Sequence, residues 1–207
     1  LTFGLKPTAM PSFAMRTEVE RHRLIDYVMY LSLRGRTEFD VLRTLLVHGE
    51  DGLEADVATE ARRVLTSELR AWASAEREVI PADPPAVEDG SPAIAESIRR
   101  GHALFLDPKG AGCASCHGDY GRDVKLQYDV WGTLVRPANL IEPLRKGGSE
   151  PAPLYRRIRG GIHAANMPAP VGLSDAQVWD IVHFLRELPH PDRLPEDMRS
   201  KVYTEGK

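Results

Sequence analysis

Cysteine is scarce in this sequence: two residues among 207, at positions 113 and 116. Two thiols so close together cannot build the cross-linked framework of a small secreted scaffold, which needs bridges between distant segments. Long apolar runs are missing too; nothing approaches the roughly 18 residues of a membrane span. There is no dense basic run. Lys and Arg total 27 against 30 Asp and Glu, a formal net charge of −3, which gives no nucleic-acid footprint. The start, LTFGLKP, has neither an initiator methionine nor the basic-then-apolar order of a secretion signal, so a processed or truncated chain is expected. The composition, 42% hydrophobic and 28% charged, suits one or two small globular domains with real cores.

Periodicity predicts an all-α protein. Residues 16–35 read as a helix opened by a Thr17–Glu20 capping box, with Leu24, Ile25, Val28 and Leu31 at helical spacing and Gly35 at its end. Residues 37–49 read as a second, shorter helix. Residues 53–80 read as a long amphipathic helix through Val57, Ala61, Val64, Leu65, Leu69 and Trp72, halted before Pro81. The Pro-rich, acidic stretch 81–92 reads as a linker. Residues 93–107 place Ile94, Ile98, Leu104 and Phe105 on one helical face. Residues 118–150 are irregular, 152–161 form a short helix, and 174–188 form a strongly periodic helix opened by Ser174 and Gln177. No strand is expected.

One internal repeat stands out. GLKPTAMP (4–11) and GIHAANMP (161–168) share their Gly and their Met-Pro at an offset of 157 residues. In that register Thr17 and Glu20 fall on Ser174 and Gln177. Leu24, Ile25, Tyr27, Val28 and Leu31 fall on Ile181, Val182, Phe184, Leu185 and Leu188. The match runs without a gap from Gly4 to Leu31, which points to duplication. The expected organisation is the tail of a first domain (1–35), a helical segment (36–80), the linker (81–92), a complete domain (93–190) and a tail (191–207).

Both cysteines lie in Cys113-Ala-Ser-Cys116-His117, the pattern of covalent haem c attachment. Two thiols add across the two vinyl groups of haem, two intervening residues let one turn reach both, and the next residue offers an imidazole to the iron. The second ring nitrogen of His117 then needs an acceptor, expected from the Pro137 carbonyl in RPANL (136–140). Two alternatives stand beside haem. A redox dithiol or disulfide wants a thioredoxin-like βαβ context, and the flanks here are helical. A structural zinc site wants further ligands, for which His163 is a candidate.

The far side of such an iron is expected to take Met167, a soft thioether in a short loop stiffened by Pro168. The alternatives are that Met167 fills a core gap or that His163 ligates instead. His183 faces the wrong side of its helix if Ile181, Val182 and Leu185 point inward. His22, His48, His102 and His190 are expected in solvent, as are Arg145 and Lys146.

GHALFLDPKGAGCASCHGDYG (101–121) and RPANLIEPLRKGGSEPAPLYRRIRGGIHAANMPAP (136–170) resemble the class I cytochrome c family, over about Ala93 to Leu188. The resemblance implies a cytochrome c fold, one covalent haem c with Cys113, Cys116, His117 and Met167 as its ligands, export to the periplasm or another exported compartment, and electron transfer. It also implies a crossing of first and last helices, where Gly101 and Phe105 would meet Phe184 or Trp179. Donors for the haem propionates would come from Trp131, Arg136, Tyr155, Arg156 and Arg159, with Arg136 foremost. FGLKPTAMPSF (3–13) resembles a second Met loop. Met10 would serve a second haem only if upstream sequence or another chain supplied cysteines and histidine; otherwise it packs.

The functional expectation is electron transfer to redox partner proteins, within a dihaem or multi-subunit system. The alternative is a peroxidase-like haem enzyme, or its electron-delivering subunit, which needs a labile sixth ligand. Carboxylate pairs such as Glu18 and Glu20, or Glu76 and Glu78, look like solvated helix faces, so no catalytic acid–base pair is expected. The helices of 37–80 either pack or dock a partner.

Overall fold

The computed structural model describes residues 1–5, 8–48, 53–88, 90–129 and 131–203. The chain divides into two compact units, Leu1–Leu5 with Met10–Val79, and Lys6–Ala9 with Ile80–Lys207.

The first unit is a helical hairpin. Helix α1 (Glu18–His48) and α2 (Leu53–Ser74) run antiparallel, and a 3-10 turn (Ala75–Glu78) follows α2. The pairing is read from Arg36 to Glu68 at 3.6 Å and Thr44 Oγ1 to Glu60 at 3.1 Å, around buried Val41 and Val64. Gly35 does not end a helix here; α1 passes straight through it. One glycine costs about 1 kcal/mol relative to alanine. The ion pair Arg34–Glu38 spans the position at 2.7 Å and Arg36–Asp40 follows it at 2.8 Å, offsetting part of that loss. Gly49, expected as the last residue of the second helix, lies outside the described residues, as does the side chain of His48.

The second unit is built on the crossing of α3 (Pro92–Leu106) and α6 (Asp175–Glu187), with α5 (Pro151–Gly160) packed on α6. Ser91 caps α3 by accepting from the Ile94 amide, and Pro92 occupies the first turn, where its missing N–H costs nothing. Ser174 and Gln177 form the expected capping box. At the crossing, Gly101 abuts the Asp180 backbone so closely that a Cβ would stand 2.0 Å from its carbonyl oxygen. The aromatic fill is Phe105 against Phe184, with centroids 5.7 Å apart. Trp179 stacks on Tyr155 of α5 instead.

Three features depart from the sequence reading. A two-residue antiparallel ladder, β1 (Gln127–Tyr128) with β2 (Leu134–Val135), interrupts the irregular region. Helix α6 is buried on all sides from Val178 to Leu185, so His183 does not face water. It meets Ser97 Oγ of α3 at 2.7 Å, and the same hydroxyl lies 2.6 Å from Asp180 Oδ1. Beyond residue 190, α7 (Glu196–Val202) folds back with Met198 and Val202 buried.

Candidate functional site

The attachment turn is helix α4 (Ala114–His117), one turn long, with Cys113 at its N-cap position. Both cysteines are free thiols, each partly buried. Burial pushes the Cys113 thiol up to about 11, with the Cys116 side chain adding to the shift. A redox-active thiol is held low, so this environment disfavours the dithiol reading and suits a sulfur capped as a thioether. Among the described residues no group of three or more His, Cys, Asp and Glu side chains is arranged to hold a metal ion.

His117 is oriented from behind. Its Nδ1 lies 3.1 Å from the Ala138 carbonyl, so Nδ1 carries the proton and Nε2 keeps its lone pair for a metal. The acceptor is therefore Ala138, one residue past the Pro137 carbonyl expected from sequence. Burial lowers the His117 pKa, opposed by that backbone bond. Gly121 makes the approach possible: a Cβ there would stand 2.4 Å from the Ala138 oxygen. Next in the loop, the Leu140 amide donates to the Tyr120 carbonyl at 2.9 Å.

Met167 is partly buried and sits in a closed loop. The Ile162 amide donates to the Met167 carbonyl at 2.8 Å, and the Met167 amide returns to Ile162 at 3.1 Å. His163 is exposed. The loop is tied to the attachment turn by a residue sequence reasoning missed. Asn166 Nδ2 donates to Gln127 Oε1 at 3.1 Å, and Gln127 Nε2 lies 2.7 Å from Cys116 Sγ. Nothing in the local pattern marks Gln127; only the β1–β2 turn brings it there.

The predicted periphery is divided. Arg136 and Trp131 are exposed, while Tyr155 is buried against Trp179. Arg156 donates to the Ile80 carbonyl, and Arg159 to the Leu173 carbonyl and to Asp175. Arg145, expected in solvent, is 8% exposed. Its Nη2 donates to the Leu140 and Leu185 carbonyls, and its Nε and Nη1 have no hydrogen-bond partner among the described residues. Desolvation, then the Arg157 charge, pushes it down to about 10. Buried guanidinium donors left over in this way suit a carboxylate-bearing ligand. His102 is also not in solvent; its Nε2 lies 2.8 Å from Tyr120 Oη, and its ring stacks on that ring.

The donor set therefore fits a covalent haem: two thiols on one turn, an imidazole held by its far nitrogen, a soft sulfur in a braced loop, and orphaned buried cationic donors. Residues 98–189 match the profile of the family described as Cytochrome c. A chain of the reducing HAO-like protein complex of Kuenenia stuttgartiensis is similar at 20% identity, covering 90% of this chain and 68% of that one, with a TM-score of 0.49. No curated protein matches.

Proposed function

We propose, from the premise that residues 98–189 are a cytochrome c domain, that this protein carries single electrons on a haem c with His117 and Met167 as axial ligands. The haem, once attached, supplies the valence change. The chain's own residues do the rest. Cys113 and Cys116 tether the ring, and Ala138 fixes the His117 tautomer. Gln127 and Asn166 brace the Met loop against the attachment turn. Arg145 is the charge partner we assign to a propionate, in preference to exposed Arg136. A methionine ligand favours the reduced iron and raises the potential. The observation that carries the reading is the His117 ring itself, with Nδ1 committed to a backbone carbonyl and Nε2 available. The same reading places the protein in the periplasm or another exported compartment, with soluble or complex-bound redox proteins as partners.

Met167→Ala tests this directly. The ferric protein is expected to show a sulfur-to-iron charge-transfer band, and the variant to lose it, with a lower midpoint potential and cyanide binding at the freed position. A native protein that is high-spin when ferric and binds cyanide without the substitution would favour the peroxidase-like alternative. Colour that extracts into acidified acetone would refute covalent attachment.

A further inference from the structure

The offset of 157 residues that aligns the two Met-Pro loops in sequence also aligns their backbones. Leu5 and Met10 form an isolated antiparallel bridge, as do Ile162 and Met167. Gly4 and Gly161 both sit at positive φ, 71° and 69°. At each, a Cβ would stand 2.7 Å from the carbonyl oxygen of the methionine, so the same tight loop demands glycine twice. The two capping boxes match as well. The Thr17 amide donates to Glu20 at 2.9 Å and the Glu20 amide to Thr17 at 3.3 Å. Ser174 and Gln177 repeat this at 2.9 and 3.3 Å.

The correspondence fails in one respect, burial. On α6 and its C-cap, Ile181, Val182, Phe184, Leu185 and Leu188 are at most 7% exposed, with α3 packed against the helix. Their counterparts on α1, Leu24, Ile25, Tyr27, Val28 and Leu31, are 37–57% exposed. An apolar face of that width left in water marks an unfinished interface.

We infer that residues 1–35 are the closing half of a second haem site, in which Met10 supplies an axial sulfur to a second haem c. The occupant of the α1 face is a helix with its own Cys-x-x-Cys-His turn, standing as α3 and α4 stand to α6, in the same polypeptide ahead of Leu1. Chain order supports one polypeptide: in the second unit the attachment turn precedes its Met loop, and His117 less the offset of 157 falls about forty residues before Leu1. The occupant helix carries a small residue facing the Arg23 backbone, the counterpart of Gly101 facing Asp180. This inference rests on the reading of Met167 as an axial ligand.

The test uses the full-length polypeptide, purified with its haem. Intact mass and haem-to-protein ratio are expected to give two haems per chain. Met10→Ala and Met10→His are each expected to remove about half of the ferric sulfur-to-iron band while both haems stay attached, and Met167→Ala the other half. Met10 is 37% exposed, so neither change threatens the fold. One haem per polypeptide, a band indifferent to Met10, or native mass spectra in which another chain or a second copy brings the second haem would each overturn the inference. A band indifferent to Met167 would instead sink the reading of residues 98–189, so the two failures are distinguishable.

Discussion

Gly101→Ala is the sharpest stability test of the second unit. The added methyl would lie 2.0 Å from the Asp180 carbonyl oxygen, 2.5 Å from its carbon and 3.0 Å from the Ile181 nitrogen. All three are backbone atoms of a helix buried from Val178 to Leu185, so no rotamer change relieves the clash. To reach ordinary contact at 3.4 Å from a starting 2.0 Å, α3 and α6 must part by roughly 1.4 Å at the crossing. A radial gap of 0.5–1 Å already forfeits about a quarter to a half of each dispersion contact along the seam. Overpacking costs about 1–3 kcal/mol, occasionally more. Ile98, Phe105, Ile181 and Phe184 line this seam at no more than 1% exposure, so a loss near the top of that range, about 3 kcal/mol, is expected. The retreat also stretches the hydrogen bonds Ser97 makes to Asp180 and His183. Urea unfolding of the haem-bearing protein, followed by haem absorbance, should show a lower midpoint with an unchanged slope. Gly35→Ala is the control. No atom lies within 4 Å of its added Cβ, and α1 should gain about 0.5–1 kcal/mol, seen in far-ultraviolet dichroism. A Gly101→Ala loss within about 0.5 kcal/mol of zero would refute the backbone-contact argument.

Two further outcomes are expected. His102 is held below its ordinary 6.5, chiefly by burial and secondly by Lys201. The unfolded chain therefore takes up a proton that the folded one refuses, and stability is full above 6.5 and falls as pH drops from there toward the folded value. His102→Gln should flatten the urea midpoints across that window, and an unchanged slope would place the acid sensitivity elsewhere. If Arg145 pairs with a propionate as proposed, Arg145→Met deletes a buried cation that opposes the ferric charge, and the midpoint potential should fall in a redox titration; an unchanged potential would count against that pairing.

Several local features were legible in the sequence. The Cys-x-x-Cys-His turn, the Ser174–Gln177 box and the extent of α3, α5 and α6 depend on residues a few positions apart, and short-range spacing encodes them. The Met-loop repeat was legible for the same reason. The span of α1 was misread because glycine is a weak stop when flanking residues continue the helix.

The sequence alone determined where two thiols, an imidazole and a thioether stand at the spacing that haem c attachment uses, since that pattern resides in residue types and their separation along the chain. Tertiary structure alone decided that Ala138 rather than Pro137 holds His117, that Gln127 joins Cys116 to the Met loop, and that Arg145, His102 and His183 are withdrawn from water. Each of these depends on segments from eleven to eighty-six residues apart meeting in space, and local pattern carries no record of such meetings.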